Sequence, residues 1–137
     1  MDSILTPALV LVCWTLVMWV WMYATRIPAI QASGIEPHEF TEPGVLDRLP
    51  LAARQVADNY NHLHEQPTIF YALVFYRQLA GTADAIMVWS AWAYVVLRIV
   101  HSVFQAIVNF VPARFGIFVL CSVPIFVLAV RNVMALL

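Results

Sequence analysis

Lysine is absent from this 137-residue chain, and all seven of its basic residues are arginine. Charge of either sign is scarce: charged residues make up 11% of the sequence, where an average soluble domain has about a quarter. With 63% hydrophobic residues, the chain has too little polar surface to coat a water-soluble globule, and its composition is the opposite of a disordered one. A net charge of -1 with no block of like charge gives no nucleic-acid footprint. Only two cysteines occur, Cys13 and Cys121, and each lies in an apolar run, where it reads as a small buried hydrophobe rather than half of a disulfide. There is no cysteine pair and no H-E-x-x-H, and His62 and His64 project in different directions on a helix, so no metal is expected. Nucleophile triads, phosphate loops and dinucleotide fingerprints are missing too, so any chemistry must use a bound polar cofactor or cosubstrate.

Long apolar runs are what the chain has instead. A bilayer core about 30 Å thick needs roughly 20 apolar helical residues. Residues 5–25 supply them without a charge, and Trp14, Trp19, Trp21 and Tyr23 suit an interfacial belt. The residues before this run carry no positive charge and the run is longer than a signal-peptide core, which favours a membrane span. Residues 26–50 hold Pro28, Pro37, Pro43, Pro50, Gly34, Gly44 and four acids, and read as an irregular aqueous loop. Residues 51–80 can form one long helix, kinked at Pro67, whose second half contributes to a span over residues 60–80. Further spans are expected over residues 85–111, interrupted by Arg98 and His101, and over 114–135, with Pro124 inside. The expected fold is an all-α integral membrane protein, a single domain made of an up-and-down bundle of four transmembrane helices. Arg26, Arg48, Arg54 and Arg114 outweigh Arg77 and Arg131 on the opposite side, which places the 26–50 loop in the cytoplasm and both termini outside.

Charged groups at membrane depth cost roughly 2.5 to 3.5 kcal/mol each on insertion scales, so each needs a physical reason. On the second helix, Arg54, Asp58, Asn61, His62 and Glu65 share an arc of about 100°. On the third, Tyr94, Arg98, His101, Ser102, Gln105 and Asn109 share a similar arc. One reading is structural: Glu65 or Asp58 pairs with Arg98, and the other groups hydrogen-bond across helices. The other is a site for a polar anionic ligand whose carboxylates arginines grip in bidentate fashion. So many polar groups on two faces favour the second, since unsatisfied ones are costly in lipid.

The segment N-x-x-H-L-H-E-Q-P-T-I-F-Y-A at residues 59–72, R-I-V-H-S-V-F-Q at 98–105, and Arg114 beyond them resemble the MAPEG family, membrane-associated proteins in eicosanoid and glutathione metabolism. The first segment is of the type seen in the family's bacterial branch. The resemblance spans nearly the whole chain and implies a homotrimer of four-helix protomers, with glutathione between subunits near the cytoplasmic face. By position, Arg26, Glu65, Arg98, His101 and Arg114 match residues that hold glutathione or border its pocket. His62 stands where many members carry a cosubstrate-contacting asparagine, and Gln105 where tyrosine is common. Arg54 and Asn61 join this set from the polar stripe. Arg114 resembles the arginine that stabilises the thiolate, a fixed positive charge that would lower the thiol pKa.

Two departures matter. Phe115 and Phe118 lie where eicosanoid-synthesising members often carry a hydroxyl or a tyrosine, so prostaglandin- or leukotriene-like chemistry is not implied. Thiolate stabilisation then falls to Arg114 and to free amides expected where residues 114–116 begin the fourth span. The resemblance implies a glutathione-dependent transferase or peroxidase in a bacterial inner membrane, using glutathione or another small thiol on electrophiles or hydroperoxides from the lipid. The alternative is a non-catalytic protein of the same fold that binds a ligand or serves assembly.

Overall fold

Between Leu5 and Ser33 the sequence has no glycine and one charge, Arg26, and it forms a single 29-residue helix, α1. The computed structural model describes residues 3–81 and 83–137. Helix α1 therefore runs on past residue 25, through Pro28, and the irregular segment begins only at Gly34, whose left-handed φ of 71° ends the helix. Within the segment, two short 3-10 turns form at Pro37–Thr41 and Val45–Arg48. Its charges satisfy one another: Glu36 and Glu39 form a reciprocal capping box, and Arg48 lies 3.4 Å from the Glu39 carboxylate. The Glu36 backbone N–H, helped by Arg48, holds the Glu39 carboxyl below its usual range.

The expected long second helix is two helices, α2 (Leu51–His62) and α3 (Gln66–Ala80). Helices α4 (Ala85–Ile107) and α5 (Val111–Met134) complete the bundle. Three helices, α1, α4 and α5, are long and apolar enough to cross a membrane. Helix α3 has 15 residues, which at about 1.5 Å each reach roughly 22 Å, short of a hydrocarbon core of about 30 Å. The second crossing can be completed only with the polar helix α2 in line behind α3.

Helix α4 packs against α1, α2 and α5 and is the centre of the bundle. Met87, Ala91, Tyr94 and Val95 on α4 meet Leu11 and Met18 of α1, Phe70 and Val74 of α3, and Cys121 and Leu128 of α5 in one buried core. The opposite faces carry exposed Leu9, Leu16, Val20, Val96, Val119 and Phe126, as helices facing lipid require. Cys121 is buried as its apolar surroundings imply, whereas Cys13 sits on the outward face of α1.

At one end of the bundle, Asp84 caps α4 by accepting the Met87 N–H at 2.9 Å and also pairs with Arg131 of α5. Arg131 and the Met87 amide hold the Asp84 carboxyl below its usual range. A depressed folded-state pKa adds stability at neutral pH that is lost as pH falls through it. Asp84→Ala should cost about 1 kcal/mol at pH 7, the usual worth of an N-cap. The gap from wild type should narrow as the pH falls through the lowered Asp84 pKa, as thermal melts in detergent across acid pH would read.

Candidate functional site at the break between helices α2 and α3

The break has a local cause. Pro67 has no N–H to give the Leu63 carbonyl, and its ring crowds that carbonyl one turn back. The helix therefore stops at His62 and restarts at Gln66, with Pro67 in the new first turn, where proline is tolerated. The break leaves the His62 and His64 carbonyls without their helical i+4 donors, while the Glu65 carbonyl accepts the Thr68 N–H at 3.1 Å. Side chains take them over: Thr68 Oγ1 donates to the His64 carbonyl at 2.7 Å, and Arg98 Nη2 of α4 donates to the His62 carbonyl.

Arg98 is 0% exposed, and it spends one of its N–H groups on this carbonyl. Among the described residues its Nε and Nη1 have no hydrogen-bond partner, nor do His101 Nδ1, Gln105 Oε1 or the Tyr94 hydroxyl, all buried on α4. The His62 and His101 rings meet edge to face at 5.8 Å. Phe118 of α5 lies 5.8 Å and 6.0 Å from these two rings and 5.8 Å under the Arg98 guanidinium. No carboxylate lies within ion-pair distance of Arg98 among the described residues. Glu65 pairs instead with His62, at 3.0 Å, and Asp58 is exposed. The structural reading that placed Glu65 or Asp58 on Arg98 is thus not what the fold uses.

Arg114 approaches from α5. Its Nη1 donates to Asn109 Oδ1 at 2.6 Å. Residues 114–116 do not begin this helix: α5 starts at Val111, and the Arg114 amide donates to the Phe110 carbonyl at 3.0 Å. The proposed free amides there are therefore not available as a group, and the Arg114 side chain is the positive feature of this turn.

Behind the cluster lies a layer of neutral polar contacts. Ser102 Oγ accepts from Trp14 Nε1 at 2.9 Å and from Asn59 Nδ2 at 2.7 Å, joining α4 to α1 and α2. Gln55 Nε2 donates to the Ala106 carbonyl at 2.8 Å. Sequence reasoning missed Gln55, Asn59 and Trp14, although the spacing of Gln55, Asn59 and His62 (i, i+4, i+7) marks one helix face. The inward face of α2 is thus turned about one residue from the stripe read through Arg54, Asp58 and Asn61. Asn61 is exposed, Arg54 and Arg26 are half-buried, and no hydrogen bond joins any of the three to the cluster among the described residues. On the other side of the break, a groove of about 480 Å³ runs between α1 and the broken helix, lined by Leu16, Trp19, Tyr60, Leu63 and Tyr71.

The family model that matches is that of the MAPEG family, over residues 4–134. The chain belongs to the MAPEG family. No curated protein and no solved structure gives a significant match. Membership supports a multi-pass membrane protein of the glutathione and eicosanoid metabolism family, in keeping with the all-helical bundle and its three long apolar helices.

In this MAPEG chain the buried donors converge where the one nearby carboxylate, Glu65, is turned to His62 and none pairs with Arg98, an arrangement suited to an anion with carboxylate groups. The Ser102 layer holds α2 and α4 in the register this requires. Ser102→Ala takes the acceptor from the buried Asn59 amide and the half-buried Trp14 indole and should cost about 1 to 3 kcal/mol. Its melting temperature should fall by roughly 4 °C or more, whereas Ser102→Thr, which keeps the hydroxyl, should lose less.

Proposed function

We propose that this chain is a glutathione-dependent membrane enzyme, a transferase or peroxidase acting on lipophilic electrophiles or lipid hydroperoxides. The observation that carries this reading is the fully buried Arg98, whose Nε and Nη1 lack partners and which has no carboxylate beside it. A buried guanidinium left in this state is costly unless a bound anion completes it. Glutathione supplies two carboxylates and a thiol. Arg98 and His101 would hold a carboxylate, with His62 and Gln105 offering hydrogen bonds and Glu65 fixing the His62 ring. The half-buried Arg26 and Arg54, each with a shielded Nε lacking a partner among the described residues, suit a site shared between the protomers of a homotrimer. Asn61 would join them at the rim.

Arg114 would stand beside the thiol and stabilise the thiolate by its charge. In conjugation, the thiol proton passes to water, the thiolate sulfur bonds to the electrophilic carbon, and the leaving group departs with its electron pair. In peroxide reduction, two thiols are oxidised to one disulfide as a lipid hydroperoxide becomes an alcohol and water. The groove at Leu16, Trp19 and Tyr71 offers apolar volume for a molecule arriving from the bilayer. The reading places the protein in a bacterial inner membrane, with the 26–50 segment cytoplasmic and both termini outside.

Purified protein in detergent should conjugate glutathione to 1-chloro-2,4-dinitrobenzene, or reduce a lipid hydroperoxide, above the rate without protein. Arg114→Ala should lose at least about tenfold in kcat/KM, in line with removal of one electrostatic stabiliser. Rates equal to the protein-free control would contradict an enzymatic role.

Phe118 supports a second reading, a non-catalytic binding or assembly protein, because its ring covers Arg98 and both histidines. Thermal unfolding separates ligand binding from pure assembly. A ligand at ten times its Kd stabilises the native state by about 1.4 kcal/mol. Millimolar glutathione should therefore raise the melting temperature by a few degrees, and an unchanged melt would favour assembly alone.

A further inference from the structure

Among the described residues the chain enters the left-handed backbone region at four places, and three of them are glycine: Gly34, Gly44 and Gly81. The fourth is Asn109, with φ 50°. Glycine is the residue this conformation favours, and asparagine is among the few others that tolerate it. Local structure explains why the conformation is needed. Helix α4 ends at Ile107, and the amides of Val108 and Asn109 both donate to the Phe104 carbonyl at 2.9 Å. The Asn109 bond spans five residues and closes the last turn of α4, and Asn109 itself then turns left-handed to take the chain out of the helix. Extended Phe110 then leads straight into α5. This turn does not explain why the chain places asparagine where it elsewhere places glycine.

The side chain gives the reason. Asn109 Oδ1 accepts from Arg114 Nη1 at 2.6 Å, a charge-assisted bond. The backbone of Asn109 is held by α4 and that of Arg114 by the first turn of α5, whose Arg114 amide bonds to Phe110. One short bond between two fixed backbones gives the guanidinium a defined direction. The acceptor is a neutral amide, so it directs Arg114 without cancelling its charge. The charged or titratable groups of this cluster on the neighbouring helices are His62 of α2 and Arg98 and His101 of α4, gathered around Phe118, with Glu65 paired to His62.

We infer that Asn109 is a positioning residue that fixes the Arg114 guanidinium beside the reacting sulfur, leaving its positive charge free to act there. The inference rests on the proposed thiol chemistry. Asparagine here gives up the backbone ease of glycine for an oriented, uncompensated cation at the junction of α4 and α5.

Asn109→Gly keeps the turn and removes the acceptor, while Asn109→Asp keeps the acceptor and adds a negative charge. Glutathione conjugation to 1-chloro-2,4-dinitrobenzene is followed from pH 6 to 9, together with the ultraviolet absorbance of the bound thiolate and the melting temperature. Asn109→Gly should melt within about 2 °C of wild type, because glycine suits the left-handed turn. Its bound thiol should titrate roughly 0.5 to 1 pH unit higher, lowering the rate at pH 6.5 by about 3- to 10-fold while the rate at pH 9 stays within about twofold. Asn109→Asp should shift the titration at least as far, since its carboxylate competes with the thiolate for Arg114. A wild-type titration for Asn109→Gly, alongside a shifted one for Arg114→Ala, overturns the role of Asn109 and leaves the thiol reading standing. A shift accompanied by a large fall in melting temperature makes Asn109 structural and overturns the inference. Absence of bound thiolate and of turnover in wild type overturns the thiol reading and this inference together.

Discussion

The contact between the Arg98 guanidinium and the His62 carbonyl is the one on which the rest of the site depends. Pro67 breaks the helix between α2 and α3, and the His62 carbonyl, left there without its helical donor, is met by a side chain. Arg98 does this from α4, the helix at the centre of the bundle. A guanidinium has five N–H donors in a rigid fork, so one of them can hold the break while the others remain for something else. A lysine ammonium at the same depth would present a compact, strongly hydrated charge without that fork. The absence of lysine from the sequence takes a physical meaning here.

The two ends of the bundle treat charge differently. At the turn before α4, Asp84 and Arg131 neutralise each other and Asp84 caps a helix, which serves stability. Around Arg98 the nearby acid, Glu65, is turned toward His62, and Phe118 covers the guanidinium with a ring in place of a carboxylate. Burying a cation without pairing it is unfavourable for folding alone. Ser102, Asn59 and Gln55 form a fully neutral layer beneath it that fixes α2 against α4. Rigid neutral support under an uncompensated cation is an arrangement that suits binding, since the orientation energy is met before any ligand arrives.

Much of this was legible in the sequence, and the parts that were not have identifiable causes. The apolar runs revealed three of the four expected spans, because composition over roughly 20 residues is a strong signal, whereas the span expected over 60–80 is a short helix behind a break. The convergence of Tyr94, Arg98, His101, Ser102 and Gln105 followed from helical spacing on an uninterrupted helix, α4. The stripe on α2 was read one residue off, because Arg54, Asp58 and Asn61 are more polar than Gln55 and Asn59, and polarity alone does not tell an inward face from an outward one. Glu65 fell out of the stripe once the helix broke before it, a consequence of the clash Pro67 makes one turn upstream. The extension of α1 to Ser33 is hidden by the charge of Arg26 and the proline-, glycine- and acid-rich composition after it, although the first glycine there is Gly34. Asn109 read as the last member of the α4 stripe, whereas its importance comes from a left-handed backbone that no periodicity reveals.

In the proposed function the buried Arg98, with half-buried arginines around it, grips the carboxylates of a small thiol. Equilibrium titration calorimetry of detergent-purified protein with glutathione and with its diethyl ester addresses it most directly, since the ester keeps the thiol and masks the two carboxylates. A bidentate charged contact is worth about 1.5 to 3 kcal/mol, so the ester should bind at least about tenfold more weakly. Equal affinities for the two, or binding of neither, would contradict the account.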